Sequence, residues 1–203
     1  MKYLDNVDSE GGPFLVADAK VARDWHGAEE DGSDYNRACR MFLTDPDIPG
    51  GLISVGLERA LVWETGGAGT GDVFLDNQDH LIIVRAWLDE LSDAGDADEL
   101  KTVTALAEVP LNEATNIGSL RITSGVLAIL WSPENGECIE SLDISSLGDD
   151  KSERPSGDMT TDASGLLVAI EIGNYTCLHD EIELGNASAR RCHLIKQEPP
   201  AEV

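Results

Sequence analysis

The densest group of chemically capable side chains lies near the C-terminus, where Cys177, His179, Asp180, Glu181, Cys192 and His193 fall within seventeen positions. Side chains alternate between the two faces of a strand, so Cys177 and His179 share a face while Cys192 and His193 point apart. One of the latter two can join the first pair from a neighbouring strand. Such a set offers zinc ligation or a Cys–His nucleophile pair. The spacing argues against zinc, because Cys-x-His followed by Cys-His matches none of the usual ligand intervals. The ordinary alternative is two core cysteines and two half-exposed imidazoles. On these grounds no metal ligand, no cofactor site and no catalytic residue is assigned.

Other signatures of catalysis are missing. The run Gly66-Gly67-Ala68-Gly69-Thr70-Gly71 lacks the Lys-Ser/Thr ending of a phosphate loop and the strand–helix setting of a dinucleotide fingerprint. It is predicted to be a hairpin turn. Gly-x-Ser-x-Gly, His-Glu-x-x-His and kinase signatures do not occur. The chain is therefore read as a non-enzyme, which leaves residues that anchor interfaces as the candidates for function. Trp25, Trp63, Trp87 and Trp131 each sit in an apolar element, which makes core packing the default. Trp63 stands beside Glu64 and just before the glycine-rich turn. It is expected to be a partly exposed anchor for a partner. Glu58, Glu64, Asp72 and Asp76 flank it on adjacent strand candidates and are expected to form one acidic sheet edge.

These side chains belong to a chain of 203 residues with a formal net charge of −25, set by 39 acidic against 14 basic residues. A surface of that sign repels phosphate backbones and anionic lipid, so direct contact with nucleic acid or membrane is not expected, whereas basic partners are attracted. Hydrophobic residues make up 41% of the chain, enough for a packed core; aromatics, at 5%, leave that core to aliphatic side chains. The N-terminus, Met1-Lys2-Tyr3-Leu4-Asp5, has no apolar signal region, and no apolar run reaches membrane-spanning length. A cytoplasmic protein with four reduced thiols, Cys39, Cys138, Cys177 and Cys192, is expected.

Short apolar runs separated by glycine and proline turns predict an α+β fold, mostly antiparallel β-sheet with a few short helices. A strand over Pro13–Ala17 leads through Asp18, a capping residue, into a helix over Ala19–His26, and a second helix is expected over Tyr35–Phe42. Strands follow over Leu52–Val55, Ala60–Trp63, Asp72–Leu75 and His80–Trp87. The stretch 89–116 reads as an acidic connector, helical from Asp98. Strands over Ile117–Ile122, Val126–Trp131, Leu166–Ile172, Tyr175–Ile182 and Arg191–Lys196 complete the pattern, with a long loop over Gly148–Ser164. The organisation is thus an N-terminal β-rich part (1–88), the connector, a C-terminal β-rich part (117–197) and a frayed tail (198–203). The two parts echo each other. Gly51–Val55, Ala60–Glu64 and His80–Val84 resemble Gly165–Ala169, Tyr175–His179 and Cys192–Lys196, which predicts two similar halves.

One ordered set of motifs is familiar. Gly11-Gly12-Pro13-Phe14-Leu15-Val16, then Trp25-His26-Gly27, then Ser33-Asp34-Tyr35-Asn36-Arg37-Ala38-Cys39 resembles the immunity protein 21 family of bacterial polymorphic-toxin systems. The strands over 52–62 and 80–87 continue the likeness. The resemblance implies a cytoplasmic antidote that binds a cognate toxin domain and blocks it non-covalently; the acidic balance fits a basic target. Two other classes stay open at this point. One is a nucleic-acid mimic that inhibits a DNA-binding protein. The other is a thiol or metal enzyme using the C-terminal Cys/His group.

Overall fold

The structure, a computed structural model, describes residues 1–28, 32–63, 66–77, 80–88, 96–147 and 152–198. The strands and helices follow in chain order: β1 (Lys2–Ser9), β2 (Phe14–Asp18), α1 (Ala19–Ala22), α2 (Asp34–Thr44), β3 (Gly50–Val55), β4 (Glu58–Trp63), β5 (Gly69–Leu75), β6 (Leu81–Leu88), α3 (Asp96–Glu108), β7 (Thr115–Ile122), β8 (Val126–Trp131), α4 (Ser141–Ser146), β9 (Ser152–Glu153), β10 (Gly165–Ala169), β11 (Gly173–Leu184) and β12 (Ala187–Lys196). They form two six-stranded sheets, β1-β5-β6-β12-β11-β7 and β3-β4-β2-β8-β10-β9, antiparallel throughout. The fold is the α+β class expected.

Period-two alternation explains the layering. Val7, Phe14, Val16, Leu61, Trp63, Val73, Ile83, Leu120, Ile129, Val168, Cys177 and Leu194 face inward and form the core between the sheets. The alternate residues of the second sheet, such as Leu15, Ala17, Val62, Ala128 and Leu167, pack under Trp25, Ala38, Cys138 and Ile139 from the segment after α1, from α2 and from the 133–147 segment. On the far side Phe74, Ile82, Val84 and Ala189 of the first sheet meet Val103, Leu106 and Ala107 of α3. The result is four layers, helix–sheet–sheet–helix.

Each sheet reads as a palindrome. Replacing β1 to β6 by β7 to β12 turns β1-β5-β6 into β7-β11-β12 and β3-β4-β2 into β9-β10-β8, so the chain is one six-strand unit used twice. The irregularities repeat as well. The β1–β5 ladder shifts register between Tyr3 and Asp5, leaving Leu4 as an extra residue. The β7–β11 ladder shifts between Cys177 and Leu178, leaving Ile117 extra at the matching place. Backbone bonds across the join repeat too: Ala28 N donates to Pro133 O (2.9 Å), and Gly136 N donates to Trp25 O (3.0 Å). Gly27 and Gly136 sit where an added Cβ would collide with Pro133 O and Ala22 O respectively, so both positions require glycine. The apolar-run likeness in sequence pairs β3 and β4 with β10 and β11. The topology instead equates β4 with β10 and β5 with β11, and only the β6–β12 match coincides.

Boundaries moved where tertiary contacts override local pattern. The helix expected over Ala19–His26 stops at Ala22, although Asp18 does cap it through a bond from Lys20 N (2.8 Å). The same carboxylate also accepts from Ser124 N (2.8 Å), tying the first unit to the second. Burial works against the Asp18 carboxylate, but the amides of Thr123, Ser124 and Lys20 outweigh it and hold its pKa below the ordinary value. Within the expected long loop after residue 147 lies the two-residue strand β9, and residues 148–151 fall outside the described residues.

Candidate functional site

The reactive cluster of the sequence sits on the β11–β12 hairpin, whose two-residue turn Gly185-Asn186 begins with Gly185 at φ 63°. The pairing divides the cluster between two faces. Cys177 and Cys192 enter the core between the sheets, and His179 joins them on that face. Burial pushes the Cys177 thiol up to about 12 and the Cys192 thiol above its ordinary value. Burial first, then Glu134 and Asp143, does the same to Cys138, to about 12. The thiolate, the nucleophilic and metal-binding form, is disfavoured in these enclosed positions. Among the described residues no three His, Cys, Asp or Glu side chains gather as a metal would need. All four cysteines are free thiols.

On the opposite face Asp180 and Arg191 form a buried pair. Arg191 Nε donates to Asp180 Oδ1 (2.9 Å), and Nη2 donates to Oδ2. His193 Nε2 lies 3.1 Å from the same Oδ1. Burial alone would raise the Asp180 pKa; bonds from His193 and Arg191, with the guanidinium charge, reverse this and hold it at about 2. Arg191 Nη1 then reaches the carbonyls of Leu106 (3.0 Å) and Val109 (2.6 Å) at the end of α3. A cation placed on the open carbonyls of a helix C-terminus both satisfies them and complements the dipole. This group is a latch that fixes α3 to the sheet.

Trp63, expected to be half exposed, is fully buried. Its ring stacks near Phe14 with centroids 6.3 Å apart, and its Nε1 donates to His179 Nδ1 (3.1 Å). That bond assigns the remaining proton of a neutral imidazole to Nε2. Burial lowers the His179 pKa and keeps the ring neutral; Glu181 opposes the shift and Arg190 adds to it. The half-exposed tryptophans are instead Trp87 and Trp131. Nor do Glu58, Asp72 and Asp76, the nominated carboxylates among the described residues, form one edge. Glu58 is at the opposite end of β4 from Trp63. Asp72 belongs to the other sheet, where β5 lies next to β1, and Asp76 follows the end of β5, while β4 packs across from β7. Asp76 accepts from His80 N (2.9 Å). Glu64 lies outside the described residues.

The structure does bring together a surface at the end of the sandwich. A cleft of about 640 Å³ is lined by Pro46–Pro49, Glu113–Thr115, His179, Glu181 and Arg190. A second, of about 460 Å³, adjoins it across the Glu181–Arg190 pair and is lined by Gly66, Trp87, Ile182, Glu183 and Ser188. Arg190 Nε meets Glu181 Oε1 at 2.8 Å. Arg85 and Arg190, opposite each other in the β6–β12 register, stack on the Trp87 ring at 5.4 and 5.7 Å. Arg85 also donates to Gly67 O (2.9 Å) and Ala68 O, which pins the glycine-rich turn. Trp87, Arg85 and Arg190 were not legible as a group, because the β6–β12 pairing that joins them spans 105 positions of sequence.

The motif residues near the N-terminus build the helical layer over the second sheet. Trp25 is fully buried, and its Nε1 donates to Ser132 O (2.7 Å). Asp34 accepts from His26 N (3.0 Å) and pairs with Arg37, which also donates to Ser54 O (2.7 Å). Tyr35 covers Gly12. No helix among the described residues is long and apolar enough to cross a membrane. No curated protein and no solved structure matches the chain. A family model described as immunity protein 21 matches residues 5–142, which takes in all of these motifs, the first six-strand unit from Asp5 onward and the start of the second. With well over half of its length matched, the chain belongs to the immunity protein 21 family.

Proposed function

We propose that this protein neutralises a cognate toxin domain of a polymorphic-toxin system by non-covalent binding in the cytoplasm, with no chemical change to either partner. The family match over residues 5–142 carries this reading. The net charge of −25 supports a basic toxin, since opposite charge steers encounter and raises association rates. Glu58, Glu64, Asp72 and Asp76 contribute to that steering field. Trp63 acts behind the surface, through His179, and makes no toxin contact. Co-expression with the toxin encoded by the adjacent gene tests the reading: cells carrying both survive, and cells carrying the toxin alone do not. If the toxin kills equally well in both, the immunity reading fails. For the steering component, the association rate constant is expected to fall steeply with added salt while dissociation changes less; a salt-independent association rate would rule it out.

A further inference from the structure

We infer that the free edge of β11 over Asp180–Leu184 is the slot in which an extended, basic segment of the toxin docks as an added strand. This rests on the toxin-binding reading above. β11 is paired with β12 from Tyr175 to Leu184. On its other side β7 pairs only with Gly173–His179, because the chain enters the sheet at Thr115 on its way from α3. Five residues of strand edge are therefore left open, about 17 Å at the usual rise, which is the length of an ordinary strand. Among the described residues, the backbone groups of Glu181–Leu184 bond to nothing but β12.

This opening departs from the repeated plan. In the first unit the matching strand β5 is paired along its whole length with β1. Two other sheet edges, those of β1 and β3, are blunted. On β1, Asp8 N donates to Ala163 O (2.7 Å) and Asn6 O accepts from Arg154 Nη1 (2.6 Å). On β3, Ser54 O accepts from Arg37. An unblunted edge invites pairing with another chain. Here the Asp180–Glu181 end of that edge lines the larger cleft together with Pro46 and Pro49, and Ile182 and Glu183 line the second. Prolines have no N–H to donate to that edge.

The occupant's chemistry follows from the lining. Asp47, Glu113 and Glu183 are exposed carboxylates, and Glu181 is neutralised by Arg190. An added strand presenting Lys or Arg toward them is charge-matched. His179 is more than nine-tenths buried, and its Nε2 stands 3.8 Å from Glu181 Oε1, beyond hydrogen-bond distance. That N–H is available to a carbonyl of the incoming strand. Beyond the pair, half-exposed Trp87, flanked by two guanidinium groups, supplies the aromatic and arginine content typical of interface hot spots. Main-chain bonds to the edge give affinity, and the flanking side chains select the sequence.

The test uses the full chain and the toxin domain encoded by the adjacent gene, purified as a catalytically inactive variant. Hydrogen exchange of the complex should show new protection at amides of Glu181–Leu184. The double variant Glu113→Lys, Glu183→Lys should weaken binding at least about 100-fold, mainly by faster dissociation, at unchanged Tm. Asp158→Lys, Asp162→Lys makes the same change in net charge on a distant loop and should alter only the salt-dependent association rate. If wild type binds the toxin but protection appears elsewhere, or if both double variants behave alike, the slot assignment is wrong and the immunity reading stands. If wild type does not bind the toxin, both fall. If the edge is already protected in a dimer of the free protein, its occupant is a second copy and the assignment is overturned.

Discussion

Replacing Arg191 by methionine isolates the latch between α3 and the first sheet. The side chain is fully buried and bonds to both oxygens of Asp180 and to carbonyls at the end of α3. Methionine fills similar volume but leaves a buried carboxylate without its counter-charge and the last carbonyls of α3 without a donor. Breaking a buried pair from one side costs about 3–5 kcal/mol, a large share of the roughly 5–15 kcal/mol that holds a domain folded. For a chain of this size that corresponds to a fall in Tm of about 6–20 °C. Urea unfolding at two pH values gives the sharper assay. The Asp180 pKa is about 2 in the folded protein against an ordinary 3.8. Its contribution is present above pH ~4 and is lost as pH falls through the folded value. Without Arg191 the buried carboxyl takes up a proton at milder pH, so the deficit of the variant should be larger at pH 7 than at pH 4. A loss below about 1 kcal/mol at pH 7, or an equal loss at both pH values, would refute the latch.

Two further outcomes follow from burial. Asp72 has its pKa raised to about 6, by burial first and then by Glu99, Asp8 and Asp5, against an ordinary 3.8. Because the folded state holds that proton more tightly, wild-type stability should decline as pH rises from about 4 to 6. Asp72→Asn should remove this slope and gain about 1–3 kcal/mol at pH 7; urea midpoints that are parallel for both proteins across that window would contradict the assignment. Thiol titration should find Cys39, which is half buried, reactive in the native state, and Cys138, Cys177 and Cys192 reactive only after unfolding, for four thiols in all; fast native labelling of more than one would show that the core is more open than described.

Local pattern was legible wherever one face of a strand is apolar. The apolar run Val126–Trp131 coincides with β8, and Ala60–Trp63 and Asp72–Leu75 lie inside β4 and β5. The strand β1, Lys2–Ser9, was missed. It is a sheet-edge element with five polar residues in eight, and only Val7 and Ser9 are buried, so it carries no apolar run to read. The repeated topology has a counterpart in the apolar runs, but similar apolar strands cannot be told apart without their neighbours. The register likeness therefore settled one strand off for two of the three pairs.

The amino-acid sequence by itself determined the fold class, most of the strands, the acidic balance and the family-like motifs. These depend on short-range period, turn chemistry and composition, all of which are written along the chain. Only the tertiary structure decided that Trp63 is buried against His179, that Cys192 faces the core while His193 faces Asp180, and that Arg85 and Arg190 share the ring of Trp87. Exposure depends on what packs over a residue from distant parts of the chain. The open edge of β11 likewise exists because β7 stops at Thr115 while β12 runs on to Ala187, a difference in pairing length between strands about 60–80 positions apart that no local pattern encodes.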